Sequence, residues 1–169
     1  MGMLEGKAAF VTAAGGGIAG AIARRYGAEG AAVCCVDVNE ETAAKTANDI
    51  ESAGGQSIWR VCDVSDEAAV KKTVDETANA FGKLNVVVNA AAASEPLHTV
   101  ATMPLEVWNE VLDVNLTGMF LVAKHAIPHM QVAGGGQFIN ISSTFGTIAW
   151  PQRPAYMATK GAVRQLKTT

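Results

Sequence analysis

Five short, nearly continuous apolar runs recur along the 169-residue chain: Ala8 to Ala13, Ala32 to Asp37, Ser57 to Cys62, Asn85 to Asn89 and Gln137 to Ser142. A strand with one face in water alternates polar and apolar residues, so runs without that alternation predict strands covered on both faces. This is the condition of a parallel sheet between two helix layers, and parallel strands need long crossovers. The intervening segments have helix length: Gly17 to Ala28, Glu40 to Ala53, Glu67 to Phe81 and Leu105 to Met130. Asn39 before Glu40 and Glu41, and Ser65 before Asp66 and Glu67, place an acceptor and then negative charge at helix starts. Gly54-Gly55 and Gly134-Gly135-Gly136 supply stops. The pattern predicts an α/β protein with a Rossmann-like, doubly wound parallel sheet, residues 1–169 forming one dinucleotide-binding and catalytic domain.

Composition narrows the function. With 49% hydrophobic and 17% charged residues the chain can bury a core, and a net charge of -3 offers no electrostatic footprint for nucleic acid. The uncharged stretch Ala8 to Ala23 is shorter than a membrane span, is broken by Gly15-Gly16-Gly17 and follows Glu5 where a signal peptide would be basic. No membrane partner is expected. Cys34, Cys35 and Cys62 are odd in number and two are adjacent, which predicts buried thiols in a reducing cytoplasm rather than disulfides. His98, His125 and His129 lack ligand-like spacing with cysteine or carboxylate, so no metal site is expected.

The first strand runs into Thr12-Ala13-Ala14-Gly15-Gly16-Gly17-Ile18-Ala19-Gly20, and a helix pattern follows. A glycine turn at a helix N-terminus lets backbone N–H groups approach a pyrophosphate at the positive end of the helix dipole. Gly15, Gly17 and Gly20 fit G-x-G-x-x-G in its required strand-turn-helix setting, although glycine-rich tight turns also arise for purely structural reasons. Asp37 ends the second strand, where a carboxylate accepts ribose hydroxyls and repels a 2'-phosphate, so NAD is favoured over NADP. Arg24 and Arg25 lie further along the helix as surface charges. Asp63, beside Val64, either meets an adenine edge or caps the next helix.

Tyr156 and Lys160 stand at i and i+4, which brings an ammonium beside a phenol on one helix face. A neighbouring cation favours phenolate, so the pair can form a tuned acid/base. Such pairs also occur by chance on surface helices, Ser142-Ser143 after a strand also reads as a turn, and Asn115 among apolar residues also reads as a satisfied core amide. Three matches in order decide between these readings.

Those matches carry a resemblance to the short-chain dehydrogenase/reductase family from Gly6 to Thr169. The glycine cradle corresponds to Thr12 through Ala19, the fourth-strand motif to Asn89-Ala90-Ala91-Ala92, and the tetrad to Asn115, Ser143, Tyr156 and Lys160. The resemblance implies NAD(P)-dependent interconversion of a small-molecule secondary alcohol and a ketone, or a related hydride transfer. In it Tyr156 exchanges the proton, Lys160 depresses the phenol pKa and holds the nicotinamide ribose, Ser143 polarises the carbonyl, and Asn115 holds a water that relays protons to Lys160. The implied cofactor contacts are Thr12, Gly15, Gly16, Gly17, Ile18, Asp37, Asp63, Val64, Asn89, Ala90 and Ala91, with Tyr156 and Lys160. Trp150, Met157 and Ala92 to Thr99 either line a substrate cleft or serve as packing and loop.

The sequence departs from the family at Ala13, Ala19, Ala90 and Ala92, where the family pattern has glycine or asparagine. A β-carbon at Ala13 or Ala92 costs of order 1 kcal/mol if φ is positive there. The resemblance also implies a longer chain, so residues 1–169 read as the first five strands with the C-terminal strands missing, and the fifth strand as a hydrophobic edge that favours a homo-oligomer. The alternative is a non-catalytic dinucleotide-binding fragment or sensor.

Overall fold

The computed structural model describes residues 2–166. Five parallel strands, β1 (Ala8–Thr12), β2 (Ala32–Asp37), β3 (Gln56–Val61), β4 (Val86–Asn89) and β5 (Gln137–Asn140), lie in the order β3-β2-β1-β4-β5. The order reverses between β1 and β4, and the carboxyl ends around such a switch point form the ligand crevice of open α/β sheets. Connections run through α1 (Gly17–Ala28), α2 (Glu40–Ser52), α3 (Glu67–Phe81), α4 (Leu105–Leu112) and α5 (Gly118–Val132), and α6 (Pro154–Val163) follows β5.

The sheet explains the uninterrupted apolar runs. Ala9, Val11, Val33, Cys35 and Val88 pack with Ala23 and Ile50 on one face, while Phe10, Cys34, Val36 and Val87 pack with Val70, Val74 and Val122 on the other. Consecutive strand residues therefore enter opposite cores. Cys34 and Cys35 point to different layers, and all three thiols are free and buried. Burial pushes the Cys34 and Cys35 thiols up to about 12, which leaves no reactive thiolate near neutral pH.

Three sequence expectations are corrected. The single helix expected over Leu105 to Met130 is interrupted by a π-helical turn at Asp113–Thr117, where the Gly118 N–H donates to the Asp113 carbonyl. Asn115 sits at its centre. The cap of α3 is Asp66, which accepts the Ala68 and Ala69 N–H groups at 2.9 and 3.2 Å. Ser65 is unavailable because its N–H and hydroxyl both donate to Asp63 Oδ1, at 2.9 and 2.7 Å. Strands β1 and β5 stop one and two residues early, at Thr12 and Asn140. Ala13 turns out of the strand with φ 56°, and Ser142 donates its hydroxyl to the Lys160 carbonyl at 2.8 Å.

Asn39 caps α2 as expected, accepting the Thr42 N–H at 3.0 Å, and Gly54 and Gly134 leave their helices at φ 86° and 84°. Two of the histidines join α5 to α3, His125 through Glu67 at 3.2 Å and His129 through Asp75 at 2.7 Å. Strand β5 has a partner on one side only, so the apolar edge foreseen at Phe138 is present among the described residues. The expected chain stop at Thr169 lies outside them.

Candidate active site

The glycine turn sits above the switch point with its Gly16 and Gly17 N–H groups open. No side chain caps α1, and a β-carbon on Gly16 or Gly17 would meet nothing within 4 Å. Gly15 is the opposite case. A β-carbon there would lie 2.2 Å from Thr42 Oγ1 and 2.8 Å from Asp37 Oδ2, so only glycine allows the turn to close on β2. Its N–H donates to Asp37 Oδ2 at 2.9 Å, and Asn39 donates to Oδ1 at 3.0 Å. The carboxylate is thereby fixed at the rim. Ala13 does carry the positive φ considered from the sequence, whereas Ala92 does not.

A cleft of about 220 Å³ continues from this turn and is lined by Ala13, Asp37, Asp63, Val64, Ala91 and Val114 among others. Ile18 projects at its mouth, 71% exposed. These positions form one ligand-sized groove along the carboxyl ends of β1 to β4. An uncapped helix start, a turn that rejects side chains and a fixed carboxylate at the end of β2 fit the diphosphate and ribose of a dinucleotide.

Thr12, Asn89, Ala90 and Ala91 have structural duties. Thr12 Oγ1 donates to the Val88 carbonyl at 3.3 Å and accepts the Ala90 and Ala91 N–H groups at 2.9 and 3.1 Å. Asn89 lies within the sheet and donates to Asn140 Oδ1 at 3.0 Å. These four build the floor of the groove, and the Ala90 and Ala91 amides are already engaged. Asp63 is exposed and holds Ser65 instead of capping α3.

Across the switch point, α6 carries Tyr156 and Lys160. Lys160 is 2% exposed; its Nζ donates to the Ile141 carbonyl at 2.8 Å and lies 5.6 Å from the Tyr156 ring centre. Burial holds its pKa below the ordinary lysine value. Tyr156 is half-buried. Ser143, just past β5, accepts the Phe145 N–H through Oγ at 3.2 Å, which leaves its hydroxyl proton free to donate elsewhere.

Asn115 does something the sequence did not show. Fully buried, it accepts the Ala93 N–H at 2.7 Å and donates to the Ala93 carbonyl at 3.0 Å and to Thr159 Oγ1 at 3.1 Å. Thr159 donates in turn to the Tyr156 carbonyl at 2.8 Å. The Asn115 side chain is thus spent on a clamp between the β4–α4 segment and α6. Any relay through Asn115 falls to its main chain, on the widened π turn, a feature frequent at functional sites.

The residues after β5 form the outer wall. Phe145 and Trp150 stack with centroids 5.2 Å apart, and the Trp150 N–H meets Met157 Sδ at 2.9 Å. Sequence reasoning missed Glu95, a buried carboxylate on the segment after β4 that accepts the Ala155 and Tyr156 N–H groups, each at 3.1 Å.

An open parallel sheet with a glycine turn at its switch point, and with a Tyr–Lys pair and a serine in the segments after β5, defines a Rossmann-like α/β protein. The chain belongs to the short chain dehydrogenase family, whose model matches residues 7–169. It is 37% identical to cis-4-hydroxycyclohexanecarboxylate dehydrogenase of Sinomonas cyclohexanicum, over 95% of this chain and 64% of that protein. It is also 37% identical to D-threitol dehydrogenase of Mycolicibacterium smegmatis, over 95% of this chain and 61% of the relative. The crystal structure of an NAD+-bound xylitol dehydrogenase superposes with a TM-score of 0.92 at 34% identity, covering 95% of this chain and 62% of the other. The chain therefore spans less than two thirds of the length of these proteins.

Proposed function

We propose that this protein is an NAD-dependent oxidoreductase that interconverts a small secondary alcohol and a ketone. The observation that carries the reading is the α6 pair: a half-buried phenol with a desolvated ammonium 5.6 Å from its ring centre, locked in place by the Ile141 carbonyl. When bound, the nicotinamide supplies the hydride acceptor or donor. Gly16, Gly17 and Ile18 hold the diphosphate, and Asp37 takes the adenosine ribose.

The chain's own residues handle the proton and the oxygen. Tyr156 receives the hydroxyl proton of the alcohol in oxidation and returns one to the ketone in reduction. Lys160 sets its ammonium beside the phenol ring. Ser143 donates its free proton to the substrate oxygen, supplying a fixed dipole where negative charge develops. Asn115 and Thr159 keep α6 in register with the groove. The stacked Phe145 and Trp150 limit water at the outer side.

Asp37 favours NAD over NADP, because its carboxylate is pinned by two N–H groups and cannot retreat from a 2'-phosphate. Three buried thiols suit a reducing cytoplasm, and no helix among the described residues is long and apolar enough to cross a membrane.

The test is a panel of secondary alcohols with NAD, read as NADH formation, together with fluorescence titrations of NADH and NADPH. Turnover on at least one alcohol and tighter NADH binding are expected. Failure to bind either nucleotide would contradict the reading at its base.

A further inference from the structure

Helix α6 begins without a local cap. Arg153 at the N-cap position makes no side-chain hydrogen bond to the helix, and Pro154 opens the first turn. The next two N–H groups, on Ala155 and Tyr156, are both taken by one oxygen, Glu95 Oε1, at 3.1 Å each. Glu95 lies 60 and 61 residues away in sequence, on the segment that follows β4.

Glu95 is an unusual group to find inside. It is 2% exposed, and its Oε2 is buried with no donor among the described residues. Burying a carboxylate is costly unless its bonds repay the lost hydration. Here the repayment comes from two N–H groups at the positive end of a helix, where a negative charge is most favoured. The surrounding contacts hold the segment in place. Arg153 donates through Nη1 to Ser94 Oγ at 2.6 Å and to the Glu95 carbonyl, and the His98 N–H donates to the Gln152 carbonyl at 3.2 Å. Two residues before Glu95, Ala93 is gripped on both its polar groups by Asn115.

We propose that Glu95 is a positioning residue for Tyr156, a cap supplied from the distant β4–α4 segment that fixes the start of α6 and so sets the phenol against Lys160 and the groove. The proposal rests on the reading of Tyr156 as the acid/base. The same tyrosine provides one of the two N–H groups that Glu95 holds, so movement at the cap is movement at the reacting residue. The charged groups around the phenol are Glu95 at the helix start, Lys160 one turn on and Arg153 just outside. The capping oxygen, rather than the charge, does the positioning, because Oε1 alone makes both bonds.

Glu95→Ala and Glu95→Gln are compared by amide hydrogen exchange of α6 and by steady-state oxidation of a secondary alcohol with NAD. With Glu95→Ala the α6 amides should exchange about tenfold faster or more, given two lost charge-assisted bonds. The kcat should fall about tenfold or more as the phenol loses its place, while the KM for NAD holds within about twofold. Glu95→Gln keeps the acceptor and removes the charge, so it should restore both the protection and kcat.

Unchanged exchange and unchanged kcat in Glu95→Ala would overturn the proposal, as would a Gln variant that behaves like Ala. A Tyr156→Phe protein as active as the parent, with α6 protection still dependent on Glu95, would instead remove the acid/base reading and leave the cap standing. The two failures are therefore separable.

Discussion

The two sides of the switch point are built differently. On the glycine-turn side, the groove between β1 and β3 is made of backbone: open N–H groups at Gly16 and Gly17, a turn closed by the bond from Gly15 to Asp37, and a strained Ala13. On the α6 side, side chains tie distant backbone together. Asn115 holds Ala93, Glu95 holds the start of α6, Ser142 holds the Lys160 carbonyl and Lys160 holds Ile141. A binding cradle can rely on local geometry, because a turn and a helix start already present donors. A site that must align a phenol and an ammonium needs cross-links between elements.

That contrast predicts unequal costs of mutation. The largest loss of stability should come from Asn115→Ala, which deletes three hydrogen bonds at a fully buried site and strands both polar groups of Ala93. A cost of about 3 kcal/mol is expected in urea denaturation. A cost near zero would mean that the clamp is incidental and that the two sides are alike.

Such cross-links are also where sequence reading stopped. The glycine turn, Asp37, the parallel strands and the Asn39 cap were legible because each depends on neighbours within a few residues. The Tyr156–Lys160 pairing was legible for the same reason. The Asn115 clamp spans 22 and 44 residues and Glu95 reaches across 60. No periodicity records bonds of that range. The break at Asp113–Thr117 followed from one of them: apolar spacing ran smoothly through Leu112 and Leu116, and only the pull of Asn115 toward Ala93 and Thr159 gives it a cause. Thr12 and Asn89 were placed at the groove by motif, and the structure puts their side chains beneath it.

Lys160 sharpens the comparison further. Burial lowers its pKa, so the fold favours the neutral amine relative to the unfolded chain. Between that depressed value and the ordinary value of about 10.4, the unfolded state binds more protons. Stability should therefore rise with pH across this window. Lys160→Met should remove the slope and be at least as stable as the parent at neutral pH, since one bond to Ile141 repays the buried charge only in part. Denaturant midpoints across the alkaline range check this, and an identical slope in the variant would place the titration elsewhere.

The smallest effect belongs to the glycine-turn side. Ala13 pays for its β-carbon at φ 56°. Ala13→Gly should stabilise the protein by at most about 0.5 kcal/mol, the strain relieved less the entropy that glycine adds to the unfolded chain. A destabilised variant would show that the methyl group packs usefully in the groove.

In the proposed function, one side of the switch point binds the nucleotide and the other does acid/base chemistry through a single phenol. Tyr156→Phe, with NADH affinity and alcohol oxidation measured on the same preparation, separates the two. Affinity should stay within about twofold while turnover falls by about 10²- to 10⁴-fold, the range for a lost general acid/base. Undiminished turnover in this variant would contradict the account.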